Sequence, residues 1–268
     1  MPSPDSAHQL TVFRGSPPTN AYVWSPFVTK LEARLRFGRV PYHLGGGSPR
    51  SGPKGKIPYV EVAAPDSGAP VATGDSTLII RSLVAAGALP DLNAGLPPAQ
   101  RAHDLAIRAL LEDKVYFYGA REKWRDNYAE MRDHVLAHVP WPLHLVAGWL
   151  ARRAVLGGLY QQGTGRLADD EVRLLAEEAW DGVNALLTES VKTASRRRTR
   201  TNDDDAPFWV LGGDEPTEAD ATLYGFIAGA LVCTAAPATA KIVQSYPTII
   251  DYAERIHSCY FPDYERWA

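Results

Sequence analysis

The feature that most constrains the fold is a change of pattern at a proline- and glycine-rich stretch, Leu89 to Pro98. Before this stretch, short β-branched and aromatic runs alternate with apolar stripes at helical spacing. After it, helical periodicity continues to the C-terminus with almost no strand pattern. We therefore predict an α+β protein with a mixed domain over residues 1–90 and an all-helical domain over residues 98–268.

The composition is that of a soluble globular protein of one or two domains, with 268 residues, 45% hydrophobic and 22% charged. The net charge of −3 gives no global basic field, so we expect neither nucleic acid nor anionic lipid as a partner. The two cysteines, Cys233 and Cys259, exclude a disulfide framework and a cysteine-rich zinc site. The N-terminus lacks a secretory signal pattern, and the apolar stretch 219–240 favours a buried core helix over a membrane span. A cytoplasmic location is expected.

The first ninety residues predict four short strands and two helices in the order β-α-β-loop-β-β-α. One helix begins at Ser25 and Pro26 and ends near Gly38, and the other begins at Asp75 or Ser76. The strand predictions are Leu10 to Phe13, Val40 to Leu44, Ile57 to Val62 and Pro70 to Thr73.

Three features are predicted beyond residue 98. A long helix runs from about Pro98 to Asn127, and Thr217 with Asp220 has the spacing of a capping box that begins a buried helix. The charged segment Ser195 to Asp205 predicts a solvated loop.

Ser25 places a hydroxyl between the first strand and the N-terminus of the first helix. One interpretation is that Ser25 only caps the helix. The other is that it donates to a sulfur anion, because a helix N-terminus carries about half a positive charge and favours the thiolate form of a thiol. The residue pair Ser25-Pro26 alone does not decide between them.

Ile57-Pro58 begins a predicted strand, where a proline is unusual. A cis bond would turn the main chain of Ile57 towards a peptide-like ligand, whereas an edge strand would explain the proline without a ligand. Lys54 and Lys56 precede this pair and either meet a ligand carboxylate or are simply solvated.

Asp75 and Ser76 open the second helix, where Ser76 can hold an α-carboxylate and Asp75 an ammonium group. Ordinary N-capping explains the pair equally well. Together with Ser25 and Ile57-Pro58, however, these residues describe a groove for a small zwitterionic peptide whose thiol lies near Ser25.

The arrangement of these segments resembles the glutathione transferase superfamily, and within it the branch of failed axon connections and metaxin proteins with their bacterial and fungal relatives. The resemblance implies a thioredoxin-like N-terminal domain of the β-α-β-β-β-α type and an all-α C-terminal domain. The matching segments cover nearly the whole chain and are Ser25-Pro26-Phe27, Lys30-Leu31-Glu32, Pro53 to Tyr59, Gly74-Asp75-Ser76, Gln162-Gly163, Gly165-Arg166, Gly213 to Ala221 and Tyr246 to Tyr264.

The resemblance implies that glutathione is the co-substrate. Its main chain would contact Ile57 beside Pro58, its γ-glutamyl group Asp75 and Ser76, and its glycyl carboxylate Lys56. Ser25 occupies the place of a cysteine in omega-like relatives and of a serine in tau-like ones, so a mixed disulfide is excluded there. We therefore predict a serine-type transferase that attacks a small hydrophobic electrophile, as in detoxification.

The alternative that the resemblance implies is a non-catalytic glutathione-binding or scaffold protein of the metaxin type. A homodimer is expected on the same basis.

The electrophile is expected between the domains, against an aromatic wall formed by Tyr22, Trp24, Tyr116 and Trp124. A core position is the alternative for Tyr116. His134 and His138 have the spacing of metal ligands on a helix, but the glutamate of the zinc-protease pattern is missing, so no metal site is expected.

Overall fold

The computed structural model describes residues 10–15, 19–62, 70–198 and 206–267 of the chain. Its N-terminal part contains strands β1 (Leu10–Phe13), β2 (His43–Gly45), β3 (Tyr59–Val62) and β4 (Val71–Gly74) with helices α1 (Pro26–Phe37) and α2 (Ser76–Ala85). Its second part contains helices α3 (Pro98–Leu110), α4 (Tyr116–Arg121), α5 (Tyr128–Val135), α6 (Leu143–Gln162), α7 (Asp169–Arg198), α8 (Glu218–Val232), α9 (Pro237–Gln244) and α10 (Pro247–Tyr260).

The four strands form one mixed sheet in the order β2-β1-β3-β4. β1 pairs in parallel with β2, while the pairs β1 with β3 and β3 with β4 are antiparallel. The predicted thioredoxin-like domain followed by helices is therefore confirmed.

Three strands begin later than the sequence predicted. β2 starts at His43 instead of Val40, β3 at Tyr59 instead of Ile57, and β4 at Val71 instead of Pro70. In each case a proline, Pro41, Pro58 or Pro70, lacks the N–H that a strand ladder needs, so pairing begins beyond it.

The long helix predicted from Pro98 is present as a continuous helical run to Asp126, in which π-helical turns at Leu111–Val115 and Glu122–Asp126 flank α4. The capping box is also confirmed, since the Thr217 N–H donates to Asp220 at 2.8 Å at the start of α8. The prediction of a loop from Ser195 was wrong for its first part, because α7 continues through Arg198. Arginine is a good helix former, which explains the extension. Residues 199–205 lie outside the described part of the chain.

α1 is buried on nearly every side, because the sheet covers one face and α8 the other. α1 and α8 approach closely at Gly225, where a Cβ atom would lie 2.5 Å from the Pro26 carbonyl oxygen and 2.6 Å from the Lys30 nitrogen. Only glycine permits this approach without moving the start of α1.

Three buried charges of α1 are each paired with a residue from another segment. Lys30 pairs with Glu112 at 2.7 Å, Glu32 with Arg14 at 2.8 Å and Arg34 with Glu218 at 2.6 Å. Buried ion pairs add little net stability, but the loss of one partner is costly, so they fix how α1 sits between the two domains.

No single helix in the described ranges has the length and hydropathy of a membrane span. Only α8 and α9 pass that test, and only as a pair bent by 119°.

Candidate functional site at one end of the sheet

The strand register brings three of the predicted site segments to one end of the sheet. Phe13, Tyr59 and Gly74 lie side by side in neighbouring strands. The loop that leads to Ser25 follows Phe13, Ile57-Pro58 precedes Tyr59, and Asp75-Ser76 follows Gly74. All three segments therefore leave the sheet at the same edge, which is where a groove was predicted.

Ser25 is the N-cap residue of α1, but its side chain makes no capping hydrogen bond. Its backbone is extended, with φ −85° and ψ 112°, and its carbonyl oxygen accepts from the Val28 N–H at 3.2 Å. The hydroxyl, which is half-buried, makes no hydrogen bond to any described residue. It is therefore free to donate to an atom placed at the positive end of α1.

Asp75 at the start of α2 behaves differently. Its carboxylate accepts hydrogen bonds from the N–H groups of Thr77 and Leu78, each at 3.1 Å, so the capping interpretation holds for this residue. Asp75 also has φ +79°, a value that few residues other than glycine adopt. Such a conformation often occurs at functional sites, where the surrounding structure maintains it.

Ser76 is 5% exposed, and its hydroxyl makes no hydrogen bond to a described residue. It is the first residue of α2, and its own backbone N–H makes no main-chain hydrogen bond in the described ranges, whereas those of Thr77 and Leu78 donate to Asp75. These features fit the carboxylate-binding role that was predicted for it.

Ile57 and Pro58 are joined by a cis peptide bond, as one of the two interpretations required. The main chain of Ile57 makes no main-chain hydrogen bond within the described ranges. Its side chain packs on Gly15, where a Cβ would lie 2.6 Å from the Ile57 Cδ1 atom. The side chain of Ile57 is thus held by the loop after β1, while its N–H and C=O are available to a ligand.

The two lysines differ in their surroundings. Both are exposed, but Lys54 lies beside Gly74, where a Cβ would be 3.5 Å from the Lys54 Cγ atom. Lys54 is thus the lysine that contacts the end of β4, directly before Asp75.

Tyr22 does not line a pocket, and its predicted place in the aromatic wall was wrong. It is 9% exposed, and its hydroxyl lies 2.5 Å from that of Tyr224 and 2.7 Å from Nδ1 of His257. Its ring packs among the rings of Phe261, Tyr264 and Trp267 at the C-terminal end of the chain. Burial raises the pKa of Tyr22 well above its usual value, so its hydroxyl stays protonated within this cluster.

Trp24 is half-buried beside Ser25 and stacks on His134 of α5, with ring centroids 3.5 Å apart and planes at 8°. Burial lowers the pKa of His134, which keeps the imidazole neutral at pH 7. The described residues contain no group of three or more His, Cys, Asp or Glu side chains that could hold a metal ion.

The predicted wall residue Tyr116 lies 36% exposed on α4, with its ring 5.0 Å from the ring of Phe27. Phe27 also contacts Phe226 of α8, at 5.7 Å between ring centroids. Trp124 is half-buried and its carbonyl accepts from Arg152 at 3.1 Å, but no contact among the described rings joins it to Trp24 or Tyr116. The aromatic surface next to the start of α1 is therefore formed by Phe27 and Tyr116 on one side and by Trp24 and His134 on the other.

A separate cavity of about 300 Å³ lies between α1, α2, α3 and α8. Its lining contains Thr77 and Arg81 of α2 but none of the residues predicted to bind glutathione.

Comparison with known protein families decides what this arrangement is. The sequence model described as the glutathione S-transferase N-terminal domain matches residues 26–131, and the one described as the glutathione S-transferase C-terminal domain matches residues 207–256. The chain belongs to the glutathione transferase superfamily. The predicted N-terminal and C-terminal domains therefore both match domains of the same family.

Among curated proteins, the isoprene-epoxide glutathione S-transferase of Rhodococcus sp. strain AD45 is 27% identical over 245 residues, which are 88% of this chain and 92% of that protein. Among solved structures, a glutathione S-transferase from Rhodospirillum rubrum aligns with a TM-score of 0.54 at 15% identity, covering 93% of this chain and 88% of that one. One from Methylobacterium radiotolerans, in complex with glutathione sulfonate, aligns with a TM-score of 0.53 at 17% identity, covering 97% and 96%. These structures share the transferase fold.

Sequence reasoning missed Phe27 and His134 as neighbours of Ser25. Phe27 fits the apolar stripe of α1 and gave no other signal. The spacing of His134 and His138 suggested only a metal, and α5 in fact ends at Val135, before His138. Both assignments depend on contacts between residues far apart in the sequence, which periodicity does not show.

Proposed function

We propose that this superfamily member is a glutathione transferase in which Ser25 donates a hydrogen bond to the sulfur of glutathione. The observation that carries the proposal is the Ser25 hydroxyl, which occupies the N-cap of α1 without capping it. Superfamily membership supports glutathione as the ligand of the groove.

Binding of the tripeptide uses the free polar groups at the edge of the sheet. The main chain of Ile57 pairs with the cysteinyl main chain of glutathione in the manner of an added strand, next to Pro58. Ser76, through its hydroxyl and its own backbone N–H, holds the γ-glutamyl carboxylate, and Asp75 takes its ammonium group. Lys56, or Lys54 which contacts the same edge, attracts the glycyl carboxylate.

The thiol is activated by two effects at the start of α1. The helix N-terminus favours the negative charge on sulfur, and the Ser25 O–H donates to the thiolate in preference to the thiol. Each unit by which the thiol pKa falls corresponds to about 1.4 kcal/mol of preference for the charged form. The proton leaves to solvent, and the thiolate attacks the electrophile held beside it.

The electrophile binds against the aromatic surface formed by Phe27, Tyr116, Trp24 and His134. This surface is apolar, so it suits a small hydrophobic molecule. The name of the Rhodococcus relative suggests an epoxide as the class to test first. In that reaction the sulfur forms a bond to a ring carbon, the carbon–oxygen bond breaks, and the oxygen takes a proton from solvent.

The test uses the full chain and three variants. Ser25→Ala removes the hydroxyl, Ser25→Thr retains one, and Ser82→Ala removes an exposed hydroxyl from α2 as a control. Retention on immobilised glutathione is measured first, followed by conjugation of a generic aryl chloride and of a small alkyl epoxide.

We expect the wild type and Ser82→Ala to be retained and active. Ser25→Ala should lose roughly tenfold or more in kcat while glutathione affinity changes little, and Ser25→Thr should recover part of the loss. Full activity in Ser25→Ala would contradict the serine mechanism. Retention without turnover in the wild type would instead favour the non-catalytic scaffold of the metaxin type.

The homodimer also remains a proposal. Sedimentation velocity of the full chain at several concentrations tests it.

A further inference from the structure

The surface of α6 and the turn before it exposes a cluster of large apolar side chains. Trp141 is 76% exposed and Trp149 55%, and together with Leu143, Val146, Leu150 and Arg153 they form what we call the α6 face. Residues 143, 146, 150 and 153 follow one another on successive turns of the helix, so the cluster is continuous. Contiguous exposed apolar surface of this kind marks an interaction site.

The charge around the α6 face has one sign. From His134 to Ala168 the chain contains no aspartate or glutamate, while it contains three arginines. Arg153 is exposed, and its guanidinium lies 5.7 Å from the centre of the Trp149 ring. The cation and the apolar cluster therefore share one surface.

The two acidic residues that directly flank this segment, Asp133 and Asp169, are each held in ion pairs. Asp133 lies 2.7 Å from Arg132, and Asp169 lies 2.5 Å from Arg121 and 2.6 Å from Arg125. The α6 face therefore carries apolar groups and positive charge and no carboxylate of its own, although the whole chain has a net charge of −3. The exposed Asp170 and Glu171 lie beyond it, at the start of α7.

We propose that the α6 face binds the surface of an anionic lipid bilayer. Tryptophan side chains favour the boundary between headgroups and acyl chains, leucine and valine insert below it, and arginine pairs with lipid phosphates. A second copy of the chain suits the face less well, because pairing two identical faces would place two copies of Arg153 in one interface. The binding is peripheral, since α6 lies on the bilayer plane and does not cross it.

The position of the face also connects it with the site at Ser25. His134, which stacks on Trp24, ends the helix α5 that leads into the face. If the proposed function holds, a bound chain keeps its electrophile surface close to the bilayer, where apolar molecules accumulate. The lipid binding itself does not depend on that function.

The experiment is co-sedimentation of the full chain with two kinds of vesicle, pure phosphatidylcholine and an equal mixture of phosphatidylcholine and phosphatidylserine. The variants are Trp141→Ser with Trp149→Ser, and Arg153→Glu. Leu174→Ser serves as the matched control, because Leu174 is 64% exposed on α7, outside the α6 face. Urea unfolding shows that each variant is folded, independently of glutathione binding.

We expect binding to the anionic vesicles, weaker binding to the neutral ones, and a decrease with added salt. Each α6-face variant should reduce partitioning by about tenfold or more, while Leu174→Ser binds like the wild type. Absence of binding, or equal binding by all variants, would overturn the proposal. So would a wild-type dimer that becomes monomeric in the tryptophan variant, since the face would then join two copies.

Discussion

At the residue scale, Ser25 and Asp75 show that the side chain of an N-cap residue can either cap its helix or be left free for a ligand. Both are N-cap residues, yet the side chain of Asp75 accepts from two backbone N–H groups and the side chain of Ser25 from none. The sequence identified both positions, because N-cap residues and a proline at N1 have clear signatures. It did not separate capping from ligand binding, since that depends on the side-chain rotamer. Tyr22 shows the same limit, because its aromatic ring suits a pocket wall and a core equally.

Ser76→Ala is expected to weaken glutathione binding. The Ser76 hydroxyl has no partner among the described residues, so its loss removes a donor to the ligand without breaking a contact of the fold. A hydrogen bond to a charged carboxylate contributes about 1.5–3 kcal/mol, which corresponds to roughly a tenfold or greater rise in Kd. Isothermal calorimetry measures the Kd for glutathione, with Ser82→Ala as the control. An unchanged Kd in Ser76→Ala would show that Ser76 is not part of the site.

Tyr22→Phe is expected to reduce stability and leave catalysis intact. Removal of the hydroxyl deprives Tyr224 and His257 of a buried partner, at a cost of about 1–3 kcal/mol. Urea unfolding measures the loss, and steady-state kinetics of the folded variant should match those of the wild type. A fall in kcat without a loss of stability would return Tyr22 to the active site.

At the element scale, the placement of α1 decides where Ser25 lies. α1 is fixed by the sheet, by three buried ion pairs and by the close crossing with α8 at Gly225. The sequence predicted the helix and its bounds from its apolar stripe. It did not predict the crossing, because a glycine in an apolar helix gives no sign of which backbone approaches it. The burial of Lys30 and Arg34 was not predicted either, since their ion-pair partners are distant in the sequence.

Gly225→Ala is expected to destabilise the protein and to lower activity together. The new methyl group would lie 2.5 Å from the Pro26 carbonyl oxygen, so α1 must shift at the residue that follows Ser25. Overpacking of this kind costs about 1–3 kcal/mol.

Gly182→Ala on α7 is the matched control, because nothing lies within 4 Å of a Cβ at that position. It should be neutral or stabilising by up to about 1 kcal/mol, as expected for alanine in a helix. Urea unfolding and glutathione-dependent activity test both variants. If Gly225→Ala and Gly182→Ala had the same stability and the same activity, the helix crossing would not be what positions Ser25.

At the scale of the whole molecule, the C-terminal residues hold the two domains together. Arg36 of α1 donates two hydrogen bonds to the Asp263 carboxylate and one to the Tyr260 carbonyl oxygen, and its guanidinium lies 4.2 Å from the centre of the Phe261 ring. The order of strands and helices and the two-domain architecture followed from the sequence. The α6 face did not, because a net charge averaged over the chain does not describe the charge of one local surface.

Asp263→Asn is expected to cost up to about 1 kcal/mol at neutral pH, a small effect because the carboxylate is partly exposed. The hydrogen bonds from Arg36 lower the pKa of Asp263 below its usual value of 3.8, so the folded state binds the proton less tightly than the unfolded state. The stabilisation is therefore complete above pH 3.8 and disappears as the pH falls below it.

Urea unfolding of Asp263→Asn and the wild type should differ at pH 7 and converge in acid. Glu254→Gln, which breaks the exposed pair with Arg266 at 3.1 Å, is the control and should have no measurable effect. A difference that persists unchanged in acid would show that the Asp263 charge is not the source of the stabilisation.

The central claim, that Ser25 and the start of α1 ionise the bound thiol, is tested most directly by the ultraviolet absorbance of the thiolate as bound glutathione is titrated with pH. We predict that the wild type forms the thiolate well below the free thiol pKa of about 8.5, and that in Ser25→Ala the transition moves back towards that value while the tripeptide remains bound. A bound thiol that titrates like the free one in the wild type, or identically in the two proteins, would contradict the account.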